Sequence, residues 1–505
     1  MKAERFFFLL VLILVAAMAA RTPVDSDLWW HLRAGEATWE LARPLTMDLF
    51  SHTRFGEPWV NHSWLAQVGL FWAYRWGGSL GLAVLVAGLA TLSMALVYQQ
   101  MEGHPLLRAF VIILASAVTG PVWSPRPQLF SLALFAALGY LLYLYKRRRC
   151  DRLWLVVPLF TLWSNLHGGY ILGLILIAAL AAGECLNHLL GKKGETVIPW
   201  SGVARLLGWG GMAALAVAIN PNGTAMWAIP FKTVGVETLQ AQISEWASPD
   251  FHQLAQQPYL WLLLATFGAA GLSARRLDGG DLATLAAFAA LALLARRNFG
   301  PFALVAAPVL ARHLADLRLE GLAGLENWAR PALQRRKLRW GSLSPRWRTL
   351  LNVVILLLLG SVALLKLLAV SSAELVAEAE KSVYPLGAVT WIKDHSPPGA
   401  IFNEYNWGGY LTWNLREYPV FVDGRTDLFD DELLVNYLQA EAGVAGWQGA
   451  LDRYGINMVL IPAGAGLAGA LDGAPAWSVA YRDEQAAVYL RKVKISVNRG
   501  GAMDE

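Results

Sequence analysis

Residues Phe6 to Arg33, FFFLLVLILVAAMAARTPVDSDLWWHLR, decide how the rest of the chain is read. Lys2 and Arg5 precede fifteen apolar residues, Phe6 to Ala20. Arg21 then opens a polar stretch that runs through Asp25-Ser26-Asp27-Leu28-Trp29-Trp30-His31-Leu32-Arg33. An apolar run of this length predicts a helix in lipid, and aromatics beside it predict a segment in the headgroup layer. The small-residue ending AAMAA also fits a cleaved signal peptide. Either reading places Asp25 outside the cytoplasm. Two carboxylates, a histidine and an arginine within nine residues are costly at a membrane boundary unless paired, solvated or used. They are therefore the first candidate site.

The pattern recurs along the chain. Of 505 residues 56% are hydrophobic and 16% charged, and the mean hydropathy is +0.41, more apolar surface than one soluble core can hide. Eleven membrane spans are expected: Phe6 to Ala20, Ser79 to Gln99, Leu106 to Val122, Leu129 to Tyr145, Leu153 to Asn165, Tyr170 to Leu190, Val203 to Ile219, Pro258 to Leu272, Leu282 to Leu294, Phe299 to Leu310 and Leu350 to Val370. Several are short enough to be broken or re-entrant.

Positive charge orients them. With the N-terminus cytoplasmic, Lys146-Arg147-Arg148-Arg149 with Arg152, Lys192-Lys193 and Arg275-Arg276 all fall inside. So does the loop carrying Arg330, Arg335, Arg336, Lys337, Arg339, Arg346 and Arg348. Everything after Val370 then falls outside, which predicts a multi-pass bacterial inner-membrane protein with a periplasmic C-terminal domain. The net charge of +5 sits in these loops rather than in an aromatic-interleaved arm, so it marks topology and not nucleic-acid binding. Two cysteines, Cys150 and Cys185, make no disulfide framework and no zinc spacing.

The unusual residues collect on the outer side. The segment from Arg21 to Gly78 holds seven of the 23 tryptophans, as expected of interfacial helices. His62 lies in it. Other outer turns carry Trp123-Ser-Pro-Arg126-Pro-Gln128, Asn165-Leu-His167-Gly-Gly, Asn220-Pro-Asn222-Gly223, Glu245-Trp246 and Arg296-Arg297-Asn298. Each alone reads as a helix stop or a solvated helix end. Together they predict the rim of an outward cavity, with Arg and His for phosphate and carboxylates for base or metal work.

From Ser371 onward the pattern becomes alternating helix and strand, a small α/β layer domain. Helices are expected around Pro385 to His395, Asp430 to Ala440 and Ala445 to Tyr454. Strands are expected at Ile401 to Tyr405, Pro419 to Asp423, Asn457 to Pro462, Trp477 to Asp483 and Ala486 to Lys492. Its polar stretches, Asn403 to Tyr410 and Asp423-Gly424-Arg425-Thr426-Asp427, fall at strand ends, where such domains hold ligands.

On these residues the chain resembles the GT-C superfamily of integral-membrane glycosyltransferases, which includes protein O-mannosyltransferases, aminoarabinose transferases and oligosaccharyltransferases. Asp25-Ser-Asp27 is similar to the acidic motif that opens the first external loop there. Trp407-Gly-Gly-Tyr410 is loosely similar to the Trp-Trp-Asp-Tyr-Gly signature of oligosaccharyltransferases, with glycine in place of its aspartate. The Asp25 to Leu32 opening together with the Trp407 to Leu411 and Asp423 to Asp427 stretches is most like bacterial members.

The resemblance implies a GT-C-like membrane domain over 1–370, with its first external loop at 21–78, and a soluble α/β domain over 371–505. It implies a sugar donor carried on polyprenyl phosphate and an acceptor glycan, lipid or protein. Asp25 or Asp27 would serve as general base and invert the anomeric centre. Because the departing phosphate is already anionic it needs cationic donors rather than an acid. Arg126, Arg296 and Arg297 are the candidates, with His62 and His167 in support and His31, Arg33, Trp407, Tyr410, Asp423 and Arg425 as further substrate contacts. Asp25, Asp27 and His31 are also a ligand set suited to Mn²⁺ or Mg²⁺. The rival readings are a transporter or flippase of a lipid-linked or anionic solute, and a non-catalytic scaffold.

Overall fold

The computed structural model describes residues 2–194, 196–234, 244–317 and 344–492. Arg330, Arg335, Arg336, Lys337 and Arg339 of the expected basic loop lie outside the described residues. The chain divides into two compact units. The first comprises Met1–Asp25, Ala34–Thr46 and Val60–Ala379; the second comprises Ser26–Arg33, Met47–Trp59 and the chain from Glu380 onward.

The first unit is helical, and each of the eleven expected apolar segments coincides with one of its helices. Among the described residues five helices are long and apolar enough to cross a membrane: Trp64–Tyr98, Pro105–Val122, Gln128–Arg148, Tyr170–Leu189 and Pro345–Val370. The others, Ala3–Ala19, Val156–Leu166, Trp200–Ala216, Gln257–Leu272, Gly279–Leu294 and Phe299–Ala315, run 11 to 17 residues. The Trp64–Tyr98 helix bends at Gly78, whose φ of 53° is open to glycine and strained for other residues. Its first part, with Trp64, Trp72 and Trp76, thereby turns away from the apolar second part.

Ala3–Ala19 belongs to the bundle core. Val11, Val15 and Ala19 have no exposed surface. Its Glu4 accepts from Arg108 at 3.1 Å while that guanidinium lies 4.0 Å over the Tyr98 ring. Lys366 Nζ donates to Ala17 O at 2.7 Å, which fastens Pro345–Val370 to the same helix. Pro345–Val370 buries none of its side chains, and so apolar a surface requires lipid around it.

A helix of 21 residues such as Gln128–Arg148 is about 30 Å long, so its two ends define two faces of the unit. At the far end a charged network ties four helix ends together. Lys146 Nζ reaches Glu184 and, at 2.7 Å, Asp278. Arg147 meets Asp278 at 2.5 Å and Asp281 at 2.7 Å, and Arg312 meets Asp281 at 2.5 Å. Three cations face three carboxylates, which balances charge that would otherwise be costly to bury.

The second unit is a four-stranded sheet with helices. β1 (Ala400–Asn403) pairs parallel with β2 (Ile456–Pro462). β4 (Ala486–Arg491) pairs antiparallel with both β2 and β3 (Trp477–Arg482), giving the order β1-β2-β4-β3. β2 and β4 are apolar along most of their length because helices cover them.

The expected strand at Pro419 to Asp423 is not formed; only Val420 makes an isolated bridge, to Ser51. Side chains replace the ladder there. Asn403 Oδ1 accepts from Phe421 N at 2.8 Å, Asn403 Nδ2 donates to Val422 O at 2.9 Å, and Thr53 Oγ1 donates to Phe421 O at 2.6 Å.

Candidate active site

In the first unit the turns at the Asp25 end of the helices converge. Arg126 sits between Pro125 and Pro127, in a turn closed by Arg126 N to Ser124 O at 2.7 Å, just before the Gln128–Arg148 helix. Arg21 Nη1 donates to Gly120 O at 2.9 Å and draws the end of the first helix to this turn. Arg126 Nε then donates to Asp25 Oδ1 at 2.5 Å, and Arg126 Nη1 to Glu245 Oε1 at 3.0 Å. The side chain of Asp25 is 8% exposed and that of Glu245 47%, so one carboxylate is enclosed and the other open to exchange for a ligand.

The Glu245 turn is held in turn by the Arg296–Asn298 corner. Arg296 N donates to Ala247 O at 3.2 Å, and the Arg297 guanidinium lies 4.3 Å over the Trp246 ring. Burial lowers the Arg297 pKa; Glu245 acts to raise it and Arg126 to lower it further. It stays a cation, as an arginine does in proteins.

His167 follows the Val156–Leu166 helix. Its Nδ1 lies 2.8 Å from Ser131 Oγ and accepts from Gly169 N at 3.0 Å. Trp163 Nε1 donates to the same Ser131 Oγ at 2.7 Å, which leaves the hydroxyl proton for His167 Nδ1. Nδ1 is therefore an acceptor, and Nε2 carries the proton of a neutral imidazole. Burial, with His62 and Arg297 as neighbours, holds the His167 pKa well below 6.5. The His62 ring is 5.8 Å away.

Asp25, His62, Arg126, His167 and Arg297, five residues singled out from the sequence, thus form one connected cluster, and Arg296 lies on the same corner. Glu245, Trp246 and Ser131 complete it. Glu245-Trp246 stood out in the sequence only as a polar loop, and nothing marked Ser131, which is one hydroxyl inside an apolar helix.

The remaining candidates fall in the second unit. Asp27 Oδ1 accepts from Trp30 Nε1 at 3.1 Å. A Cβ at Gly424 would strike this carboxylate, and one at Gly409 would strike Ser26 O, so both glycines serve close backbone approach. His31 is buried against the Trp30 ring, and Arg33 lies 5.7 Å over Phe50. Trp407 Nε1 donates to Val383 O at 3.0 Å, and Tyr410 stacks on Tyr384 at 4.4 Å.

Asp423 and Arg425 have no exposed surface. Arg425 holds Asp423 through Nε at 2.8 Å and Nη2 at 2.7 Å, and reaches the buried Asp48 through Nη1. The guanidinium lies between Trp59 at 5.1 Å and Phe50 at 5.3 Å. Burial pushes the Asp48 pKa up, but Arg425, the Ser51 hydroxyl and Phe50 N–H outweigh it and leave it below 3.8. These two residues brace the fold. Tyr405 lies near Asp27, Asp423, Asp427 and Glu404; burial first and these carboxylates second push its phenol well above 10.

Among the described residues no group of three or more His, Cys, Asp or Glu side chains could hold a metal ion. Asp25 is instead engaged by Arg126, and Asp27 by Trp30.

A helical unit with helices apolar enough to cross a membrane and a small α/β unit thus occur in one chain. No protein-family model and no curated protein matches the chain, but solved structures do. The oligosaccharyltransferase of Archaeoglobus fulgidus, tethered to an acceptor peptide, aligns with 91% of this chain and 69% of its own length, at 12% identity and a TM-score of 0.54. The same enzyme with an inhibitory peptide and a dolichol-phosphate aligns with 92% of this chain and 70% of its own, at 10% identity and a TM-score of 0.54. The mycobacterial arabinofuranosyltransferase AftD aligns with 97% of this chain and 42% of its own, at 14% identity and a TM-score of 0.51. At such identities the likeness establishes the fold alone, which is GT-C-like.

Proposed function

We propose that the chain is a membrane glycosyltransferase that moves a sugar from a polyprenyl-phosphate donor to an acceptor hydroxyl at the extracytoplasmic face of a bacterial inner membrane. The observation that carries this reading is the Asp25–Arg126–Glu245 arrangement: an enclosed carboxylate and an exchangeable one share a single guanidinium. A structural neighbour with this fold was solved with a dolichol-phosphate, which supports the class of donor.

Asp25 accepts the proton of the attacking hydroxyl as the new bond to the anomeric carbon forms. The bond from that carbon to the phosphate oxygen breaks on the opposite side, so the centre inverts. The electron pair leaves with the polyprenyl phosphate, which Arg126, Arg297 and Arg296 stabilise as an anion. Before the donor arrives, Glu245 holds the Arg126 Nη1 position that a phosphate oxygen would take. His167, as a neutral Nε2–H donor, adds hydrogen bonding without competing for the proton. Asp27 is a positioning residue that braces the start of the Leu28–Glu40 helix.

Asp25→Asn keeps the shape and the Arg126 contact but removes the base. Turnover of a polyprenyl-phosphate sugar should then fall by about two to four orders of magnitude while donor binding persists. Undiminished turnover in this variant refutes the assignment of Asp25 as the base, whereas no turnover by the unaltered chain would favour transport or scaffolding.

A further inference from the structure

The helices Asp431–Glu441 and Trp447–Arg453 of the second unit enclose a groove of about 310 Å³, at the lower end of the size range of small-molecule sites. We propose that this groove binds a neutral saccharide, as a carbohydrate site separate from the Asp25–Arg126 cluster.

Its walls supply directional hydrogen bonds and little net charge. Asn436 and Gln439 stand three residues apart on one helix and so share a face. Neither side-chain amide is engaged by another group among the described residues. Trp447 is only 6% exposed and lines the groove, and its indole N–H has no partner among the described residues. It is thus left to donate to whatever occupies the groove. Tyr454 adds an aromatic wall, fixed edge-on against Phe421 at 5.0 Å. The one cation in the lining, Arg453, is exposed and lies 3.6 Å from the exposed Glu432, a loose surface pair.

Ala445, Gly446, Gly449 and Ala450 add small residues to the lining. A Cβ built on Gly449 would meet nothing within 4 Å. Two amides, an indole N–H and a phenol around a hollow of this size match the hydroxyls and ring of an uncharged sugar. A phosphate or carboxylate ligand would find a single cation there, already facing Glu432.

The test uses the full chain in nanodiscs, with maltotriose, chitotriose and mannotriose as probes followed by saturation-transfer NMR. At least one should bind saturably with a Kd in the range of about 0.1–10 mM. Gly449→Leu fills the hollow with a better helix former and should abolish binding. Asn436→Ala and Trp447→Phe each remove one hydrogen bond and should weaken it several-fold to about tenfold. Asp25→Asn should leave it unchanged, which separates failure of this site from failure of the glycosyltransferase reading. The proposal is overturned if none of the three probes saturates the full chain, if Gly449→Leu binds like the unaltered protein while unaltered exchange in β2 shows it folded, or if Asp25→Asn removes the signal.

Discussion

Replacing Arg425 by Met removes the cation between Asp48 and Asp423, three side chains without exposed surface. The guanidinium makes bonds through Nε and Nη2 to Asp423 and through Nη1 to Asp48. Methionine fills much of the volume between Trp59 and Phe50 but leaves two carboxylates buried without a counter-charge. Breaking a buried pair this way costs about 3–5 kcal/mol, a large part of the 5–15 kcal/mol that holds a domain together. Local opening measured by hydrogen exchange at Phe402, Asn403 and Phe421 should accelerate by roughly two to three and a half orders of magnitude.

The effect should also depend on pH. Asp48 has its pKa lowered below 3.8 in the folded unit, so its contribution is complete above the unfolded value and is lost as pH falls through the folded one. In Arg425→Met the two carboxyls can be buried neutral, so the gap between the variant and the unaltered chain should narrow towards pH 4. A penalty under about 1 kcal/mol at neutral pH, the range of an exposed pair, would refute the reasoning.

Glu245→Gln should tighten binding of a polyprenyl-phosphate analogue about two- to fivefold, because the half-exposed ion pair it removes is worth under about 1 kcal/mol; unchanged or weaker binding in a titration would mean that Glu245 does not occupy the phosphate's place. His167 is held neutral by burial, so the folded chain should lose stability as pH drops below 6.5 and the unfolded state takes up the proton, until His167 itself protonates. An imidazole ¹⁵N signal of His167 that titrates between pH 6 and 7 would contradict this. Lys146→Met alone, by stranding Glu184, should cost several kcal/mol and much of the folded yield. Lys146→Met with Glu184→Leu should recover part of it, as read by size-exclusion chromatography in detergent.

Much of the first unit was legible because apolar length alone announces a helix in lipid: each expected span coincides with a helix, although the span expected to start at Ser79 continues a helix that begins at Trp64 and bends at Gly78. In the second unit, β2, β3 and β4 fall within a residue of their expected limits. The stretch at Pro419 to Asp423 was misread because its apolar residues are bonded by the side chains of Asn403 and Thr53 rather than by a neighbouring strand. The Ala373–Val383, Gly408–Asn414 and Gly466–Asp472 helices were missed; the last two are seven-residue helices of about two turns, each with two glycines.

Arg126 and Arg297 were visible as charges where the positive-inside bias predicts few. Local sequence could not reveal that Arg126 would select Asp25, since that pairing spans 101 positions. Nor could it show that Arg425 answers Asp48, 377 positions away. Fixed long-range partners of this kind are what turn Asp423-Gly-Arg425 from an apparent ligand loop into a brace.

The most direct test is to locate a photoreactive polyprenyl phosphate on the purified chain in nanodiscs by crosslinking and peptide mass spectrometry. The account predicts labelling in the Trp123–Gln128 and Arg296–Asn298 turns, lost on Arg126→Ala and retained in Asp25→Asn. Labelling that avoids both turns, or that Arg126→Ala leaves unchanged, would contradict it.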